Sequence, residues 1–225
     1  MAKEPFLRSR TGRIALLAML AFSIFVVPVL MSTELVPPRA GDLFFAATMI
    51  VAMVALSRGD GRLFVVTVAG AAFVIQFFRF VEHGRAIVVA DAALSALATG
   101  TFAVLVLRDV FEADPVPDRL LDVILAYLLV GATFAFLYEI ANELRPGALS
   151  MEGGPMTGAD YIYFSLTTMT SVGFGDALPR HPATRALAMA QALTGQLYVA
   201  TLIARFVNVA AARRTGRGRE NGDPG

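Results

Sequence analysis

The sequence predicts an all-α membrane protein with six transmembrane helices, and with a short re-entrant helix and loop between the fifth and the sixth. Three observations lead to this prediction. Of the 225 residues, 56% are hydrophobic and 16% are charged, and the mean hydropathy is +0.65, which is more apolar than a soluble core requires. Six long apolar runs could cross a bilayer, and one further helical segment is too short to do so.

The six predicted spans are predominantly apolar and are bounded by charged residues, proline or glycine. The second and third are short against the roughly 20 residues that a spanning helix needs. Arg58, Arg62 and Arg79 at their ends would therefore have to snorkel to the membrane interface. The spans are residues 14–31, 43–57, 63–78, 86–107, 120–140 and 184–212.

Basic residues predict the orientation of the chain. Arginine and lysine collect in the short cytoplasmic loops of membrane proteins, and six spans with both termini inside place most of these residues in the cytoplasm. Loss of one short span would leave an odd number of spans and put one basic terminus outside. Loss of both would keep both termini inside, so four spans remain an alternative. The first span follows basic residues as in a signal peptide, but no small-residue cleavage site follows it, and we expect a retained helix. We predict a multi-pass protein of the cell membrane, of the bacterial inner-membrane type, with cytoplasmic termini.

The composition argues against the common catalytic and metal sites. The chain has no cysteine, and its two histidines, His83 and His181, are far apart in sequence, which argues against thiolate and histidine metal clusters. No paired carboxylates and no nucleophile–base pair share a predicted helix face. We therefore expect no enzyme activity, no cofactor and no nucleic-acid partner.

A short helix is predicted after the fifth span, where Thr157 precedes Asp160 by three residues in a capping-box pattern. Residues 161–169 continue as a helical run that cannot cross a bilayer, so the chain must enter and turn back. Such a turn is tolerated only where protein or water satisfies the backbone. The negative end of the helix dipole would then favour a cation. An extracellular surface helix is the alternative.

The most informative stretch is residues 170–176, which read Thr-Ser-Val-Gly-Phe-Gly-Asp. Gly173 and Gly175 can adopt backbone dihedrals that other residues resist. Their alternation with Val172 and Phe174 lets successive carbonyl groups point to one side. Four copies around an axis would form stacked rings of oxygen atoms, which can replace the hydration shell of a potassium ion.

Residues 163–176, YFSLTTMTSVGFGD, resemble the pore loop of the potassium channel family, and the resemblance is strongest over about residues 120–212. It implies a pore helix, a selectivity filter and an inner helix that lines a cavity, with K⁺ as the permeant ligand. The ion-binding residues that it implies are Thr170, Ser171, Val172, Gly173, Phe174 and Gly175, with K⁺ held at Ser171, Val172, Gly173 and Phe174, and with Asp176 at the outer mouth.

Two filter positions depart from the commonest pattern of the family. Most relatives have threonine where this chain has Ser171, and serine keeps the hydroxyl but lacks the methyl group that restrains the side chain. Phe174 stands where relatives usually carry tyrosine, and it cannot form the hydrogen bond of a phenol. We therefore expect the filter to be supported by packing, with Tyr163 and Phe164 in the supporting positions.

Two further roles follow from the resemblance. Glu139, in an apolar stretch near the outer end of the fifth span, is similar to a glutamate that supports the filter in the family; a charge at the membrane interface is the alternative. Gly195 stands at the spacing from the filter at which relatives carry a glycine that lets the inner helix bend, so it is a candidate gating hinge. Close helix packing is the alternative, since glycine in a helix interior costs about 1 kcal/mol relative to alanine.

Assembly and gating follow from the number of loops and charges. One chain supplies one pore loop and a filter needs four, so the geometry predicts a homotetramer in the lipid bilayer. The six-span layout is that of voltage-gated channels, but the fourth span has no basic residue between Arg85 and Arg108. A sensor needs several regularly spaced arginines, so no classical voltage gating is expected. The competing interpretations are a weakly selective cation channel and a non-conducting regulatory subunit with a pore-like fold.

The predicted organisation has five parts. They are a cytoplasmic N-terminal segment at 1–13, a four-helix transmembrane region at 14–107, a cytoplasmic linker at 108–119, a pore domain at 120–212 and a disordered cytoplasmic tail at 213–225. The tail is assigned to disorder because it is rich in glycine and charge and has almost no apolar residues.

Overall fold

The computed structural model describes residues 10–33, 84–112 and 120–220, with a few single positions between the first two ranges. The predicted second and third spans fall almost entirely outside the described residues, as do most of the N-terminal segment and the last five residues. Within the described ranges the protein is mostly helical, and three helices are long and apolar enough to cross a membrane. The architecture is therefore that of a helical membrane protein.

The first helical segment, α1, covers the predicted first span. It consists of an α-helix at Arg10–Ala21, a π-helical turn at Phe22–Val26 and a final piece at Val27–Ser32. The π turn ends two residues before Pro28, and the Val27 amide donates to the carbonyl of Phe22. Proline lacks an N–H and its ring crowds the carbonyl four residues earlier, and a widened turn is a common way to absorb that conflict.

Two long helices pack closely against each other, and the second of them also packs against α1. They are α2 at Arg85–Glu112 and α3 at Leu120–Leu144. The Thr133 hydroxyl of α3 lies 3.0 Å from the Thr99 hydroxyl of α2, and a Cβ on Gly100 would lie 3.3 Å from the Thr133 methyl group. The shared apolar core is made of Leu16, Leu20, Ile24, Ala98, Phe102, Ala103, Val106, Leu125, Ala126, Leu129 and Ala132.

A short helix and two short strands lie between α3 and the last helix. The strands β1, Leu149–Met151, and β2, Ala177–Pro179, pair antiparallel with Ser150 opposite Leu178. The helix α4, Gly158–Met169, lies between them in sequence and packs on both α3 and the last helix. The sequence did not predict the strands.

The last helix, α5, covers Pro182–Glu220. It is longer than the predicted sixth span, and residues 213–220 are helical where the sequence predicted a disordered tail. Extending an existing helix needs no new nucleation, and residues 210–214 read Ala-Ala-Ala-Arg-Arg, which are favourable helix formers. This local preference outweighs the low hydrophobicity that led to the prediction of disorder.

Candidate functional site

The start of α4 matches the prediction from the sequence. The amide and the hydroxyl of Thr157 both donate hydrogen bonds to the Asp160 carboxylate, at 2.7 and 2.8 Å. The carboxylate also lies in the first turn, where the helix dipole favours negative charge. The helix is thus fixed at its N-terminal end, and it ends at Met169, directly before the Thr170–Asp176 loop.

The backbone of the loop alternates in handedness. Ser171, Gly173 and Gly175 have positive φ values of 61°, 49° and 83°, and the residues between them do not. A positive φ is easy for glycine and unfavourable for other residues, so Ser171 is a strained position. Strain of this kind is maintained only where the surrounding structure enforces it.

The enforcing contacts come from the C-terminal end of α4. The amide of Ser171 donates to the carbonyl of Thr168 at 3.0 Å, and the amides of Val172 and Gly173 both donate to the carbonyl of Thr167, at 2.9 and 3.2 Å. Two last-turn carbonyls of α4 that lack helical partners are satisfied in this way. The loop is therefore folded back onto the helix end.

These three amides also fix the direction of three carbonyl groups. The described chain has no cis peptide bond, and in a trans peptide the C=O points opposite to the N–H of the next residue. Because the amides of residues 171–173 point to α4, the carbonyls of Thr170, Ser171 and Val172 point away from it. Residues 170–175 are exposed on that open side, so a row of carbonyl oxygens faces outward from the chain.

Tyr163 and Asp176 hold the outer part of the loop. The Tyr163 hydroxyl donates to a carboxylate oxygen of Asp176 at 2.7 Å, and the Tyr163 ring stacks on Phe174 with the ring centres 6.2 Å apart and the planes at 5°. The amide of Ala177 donates to the other Asp176 oxygen at 2.9 Å. The hydrogen bond from Tyr163 is the main cause that lowers the pKa of the Asp176 carboxyl below its ordinary value.

Behind the outer part of the loop, Asn142 joins three elements. Its amide nitrogen donates to the Tyr161 hydroxyl at 2.8 Å, and its oxygen accepts the amide of Leu149 at 3.0 Å. The β1–β2 pair then links this region to the segment after the loop, and the amide of Arg180 bonds the carbonyl of Ala148. The loop is thereby connected to α3 and α4 on both sides.

A buried polar network connects α3, α4 and α5, and the sequence did not predict it. The Tyr138 hydroxyl donates to Gln191 at 2.7 Å, Gln191 donates to the Ser165 hydroxyl at 2.6 Å, and Ser165 donates to the carbonyl of Gly131 at 2.6 Å. All three side chains are fully buried. Polar groups in such surroundings stabilise only when they are satisfied, and this chain of bonds satisfies them.

The other predicted support residues lie behind the loop. Phe164 is buried and meets the Tyr138 ring edge-on, with the ring centres 4.8 Å apart, in an apolar cluster that includes Leu149 and Ala177. Glu139 is buried, with 5% of its surface exposed, and it interacts electrostatically with Tyr161. Tyr163 contacts the loop directly, through its hydrogen bond to Asp176 and its stacking on Phe174.

Gly195 lies against the end of α4. A Cβ atom there would collide with the carbonyl oxygen of Met169 and would lie 2.9 Å from its Cγ. Glycine is therefore required for α5 to approach the end of α4 this closely. The helix is continuous through this position, so the structure gives Gly195 the packing role, and the hinge stays a prediction.

This arrangement of helices and loop lies in the segment of the chain that is similar to a known protein family. A family model described as "Ion channel" matches residues 122–212. That range contains almost all of α3, the whole of α4 and the loop, and α5 as far as Ala212.

The relatives are potassium channels. The chain is 34% identical over 104 residues to two pore potassium channel a of Oryza sativa subsp. japonica, which is 45% of this chain and 27% of the relative. It is 29% identical over 96 residues to two-pore potassium channel 1 of Arabidopsis thaliana, which is 42% of this chain and 24% of the relative. It is 31% identical over 85 residues to the voltage-gated delayed rectifier potassium channel KCNH1 of Homo sapiens, which is 33% of this chain and 9% of the relative.

The chain thus spans about a quarter or less of the length of these curated relatives. No solved structure matches it. The chain is thus similar to ion channels over residues 122–212, and the curated relatives that it matches over part of its length are potassium channels.

Proposed function

We propose that this protein is the subunit of a potassium-selective channel. Four copies surround one pore in the lipid bilayer of the cell membrane, and K⁺ crosses passively through a filter made of residues 170–175. The row of outward-facing carbonyls at Thr170, Ser171 and Val172 carries this proposal. Carbonyl oxygens held in fixed directions can replace the water around a K⁺ ion.

The apolar surface of the single chain supports the tetramer. Val172 and Phe174 are 55% and 70% exposed, which is unusual for large apolar side chains in a loop that is held by so many hydrogen bonds. A row of apolar residues along α5 is exposed as well, namely Met189, Leu193, Leu197, Ile203 and Val207. Other copies of the chain around a four-fold axis would cover the loop residues and part of this row.

The charge pattern supports gating by something other than a voltage sensor. Helix α2 occupies the predicted fourth span and has no basic residue between Arg85 and Arg108. Voltage sensing requires several charges that move in the membrane field. We propose cytoplasmic termini, in agreement with the excess of arginine and lysine on the predicted inner side.

Ion substitution tests the proposed function. The purified protein is reconstituted into a planar bilayer with K⁺ on one side and Na⁺ on the other, and the reversal potential is measured. We expect a large reversal potential that is negative on the K⁺ side, because K⁺ crosses and Na⁺ does not. A reversal potential near zero would instead indicate a weakly selective cation channel. No flux under any stimulus, together with intact tetramers, would indicate a non-conducting subunit.

Tyr163→Phe tests the support of the outer filter. The Asp176 pKa is depressed in the folded protein. The hydrogen-bonded carboxylate therefore stabilises the folded loop fully at pH values above its ordinary pKa, and this stabilisation is lost as the pH falls through the depressed value. Removing the Tyr163 hydroxyl raises the pKa toward the ordinary value of about 3.9. We expect external acid to reduce K⁺ flux at a higher pH in the variant than in the wild type.

The control for this experiment is Tyr161→Phe, which deletes a hydroxyl two residues away on the same helix, bonded to Asn142 and not to Asp176. The external pH at which its K⁺ flux falls to half should match that of the wild type. If this pH is the same for Tyr163→Phe and the wild type, the role of the Tyr163–Asp176 bond is contradicted.

A further inference from the structure

Besides Tyr163 of α4, a side chain of α5 contacts the loop, near the first residues of the loop. The Gln196 side-chain nitrogen donates a hydrogen bond to the Ser171 hydroxyl oxygen at 2.8 Å. We propose that Gln196 is a positioning residue, which holds the Ser171 hydroxyl in the direction that an entering K⁺ ion needs and so contributes to selectivity at the innermost ion site. This inference rests on the proposed function, because it assigns a role within the same filter.

The chemistry of serine explains why such a residue is needed. A hydroxyl has one hydrogen to donate and two lone pairs to accept. Serine moves easily between side-chain rotamers, whereas the β-branched threonine is restricted. When the Gln196 amide occupies one lone pair of Ser171, the side chain is held in one rotamer and the second lone pair stays available to a cation.

The packing of α5 explains why Gln196 reaches the loop. The preceding residue, Gly195, lies against the backbone of Met169 with no room for a side chain. That contact brings the helix close to the start of the loop, and the next side chain then spans the remaining distance to Ser171. A larger residue at 195 would move Gln196 away from its partner.

Gln196 is distinct from the other glutamine that joins α5 to α4. Gln191 is fully buried and bonds Ser165 inside the polar network, so its role is to hold the helices together. Gln196 and Ser171 are both exposed in the single chain, on the open side where the proposed ion path runs. Five residues of helix rotate the side chain by about 140°, which separates the two roles onto different faces.

Gln196→Met tests the proposal, because methionine has a similar length and cannot donate the bond. We expect tetramers of normal thermal stability and a K⁺/Na⁺ permeability ratio, from reversal potentials, that is at least about fivefold lower, because each subunit loses one neutral hydrogen bond. In a Ser171→Ala background, Gln196→Met should cause no further change in the ratio, because the hydroxyl that Gln196 positions is absent. The matched control is Thr194→Ala, two residues away on α5, where the hydroxyl bonds the carbonyl of Ala190 in its own helix; its ratio should stay at the wild-type value.

Three results would overturn the inference. The first is an unchanged ratio in Gln196→Met, and the second is a further fall in the ratio when Gln196→Met is added to Ser171→Ala. The third is a fall in the ratio that occurs only with loss of the tetramer, which would show a purely structural role. If the wild type is K⁺-selective and Gln196→Met equals it, this inference alone fails. If the wild type neither conducts nor selects K⁺, the proposed function fails with it.

Discussion

Replacing Gly173 with valine should abolish K⁺ flux through the reconstituted protein while the tetramer still forms. Gly173 has a φ of 49°, and a β-branched residue there is a severe outlier. The left-handed conformation costs an ordinary residue roughly 1–2 kcal/mol, and four subunits bear that cost at one pore. Since each 1.4 kcal/mol is a factor of ten in an equilibrium, we expect at least about a hundredfold loss of flux.

The space around Gly173 makes this a test of backbone conformation. A Cβ there meets no heavy atom within 4 Å in the single chain, so the added Cβ itself creates no clash within the subunit. The control is Gly147→Val, which has a φ of 81° and is equally open but lies outside the loop. It should carry the same local strain and retain K⁺ flux. Normal flux through the Gly173 variant would show that the carbonyl rows do not form the path.

Gly195→Ala should lower the thermal stability of the tetramer. Alanine is the better helix former by about 1 kcal/mol, so in open space this change would stabilise the protein. Here the added Cβ would collide with the Met169 backbone carbonyl, and overpacking costs typically 1–3 kcal/mol. A backbone atom cannot rotate away as a side chain can, so we expect the collision to outweigh the gain and the thermal midpoint in detergent to fall.

Gly100→Ala is the matched control, since its Cβ would meet only the Thr133 side chain, at 3.3 Å. It should be close to neutral. The experiment also separates the two roles of Gly195. A pure hinge predicts a variant of equal or higher stability whose channel opens less often. That result would contradict the packing role that the structure gives to this glycine.

The elements of residues 120–212 could be predicted because each has a local signal. Hydrophobic length marks α2, α3 and α5, and the Thr157–Asp160 pair marks the start of α4. The glycines at 173 and 175 indicate the alternating backbone of the loop, and two of its three positive φ values fall on them. The third falls on Ser171, where composition gives no such signal.

The contacts between elements could not be predicted in the same way. Tyr138, Ser165 and Gln191 are distant in sequence, and only packing brings them into one network. The available signal was a glutamine in an apolar helix, which needs a partner inside a membrane protein but does not reveal which one. The strands β1 and β2 have three residues each, too few to show an alternating pattern, and they form because the surrounding helices bring them together.

The most direct measurement of the central claim is a crystal structure of the tetramer grown with Rb⁺ in place of K⁺, with the anomalous scattering of Rb⁺ used to locate the ions. The two ions are similar in size and charge, so Rb⁺ should occupy the same sites. We predict anomalous peaks on a four-fold axis, spaced along the carbonyl oxygens of residues 171–174 of four subunits. An assembly without that axis, or a tetramer with no ion density at these carbonyls, would contradict the claim that this loop is a potassium filter.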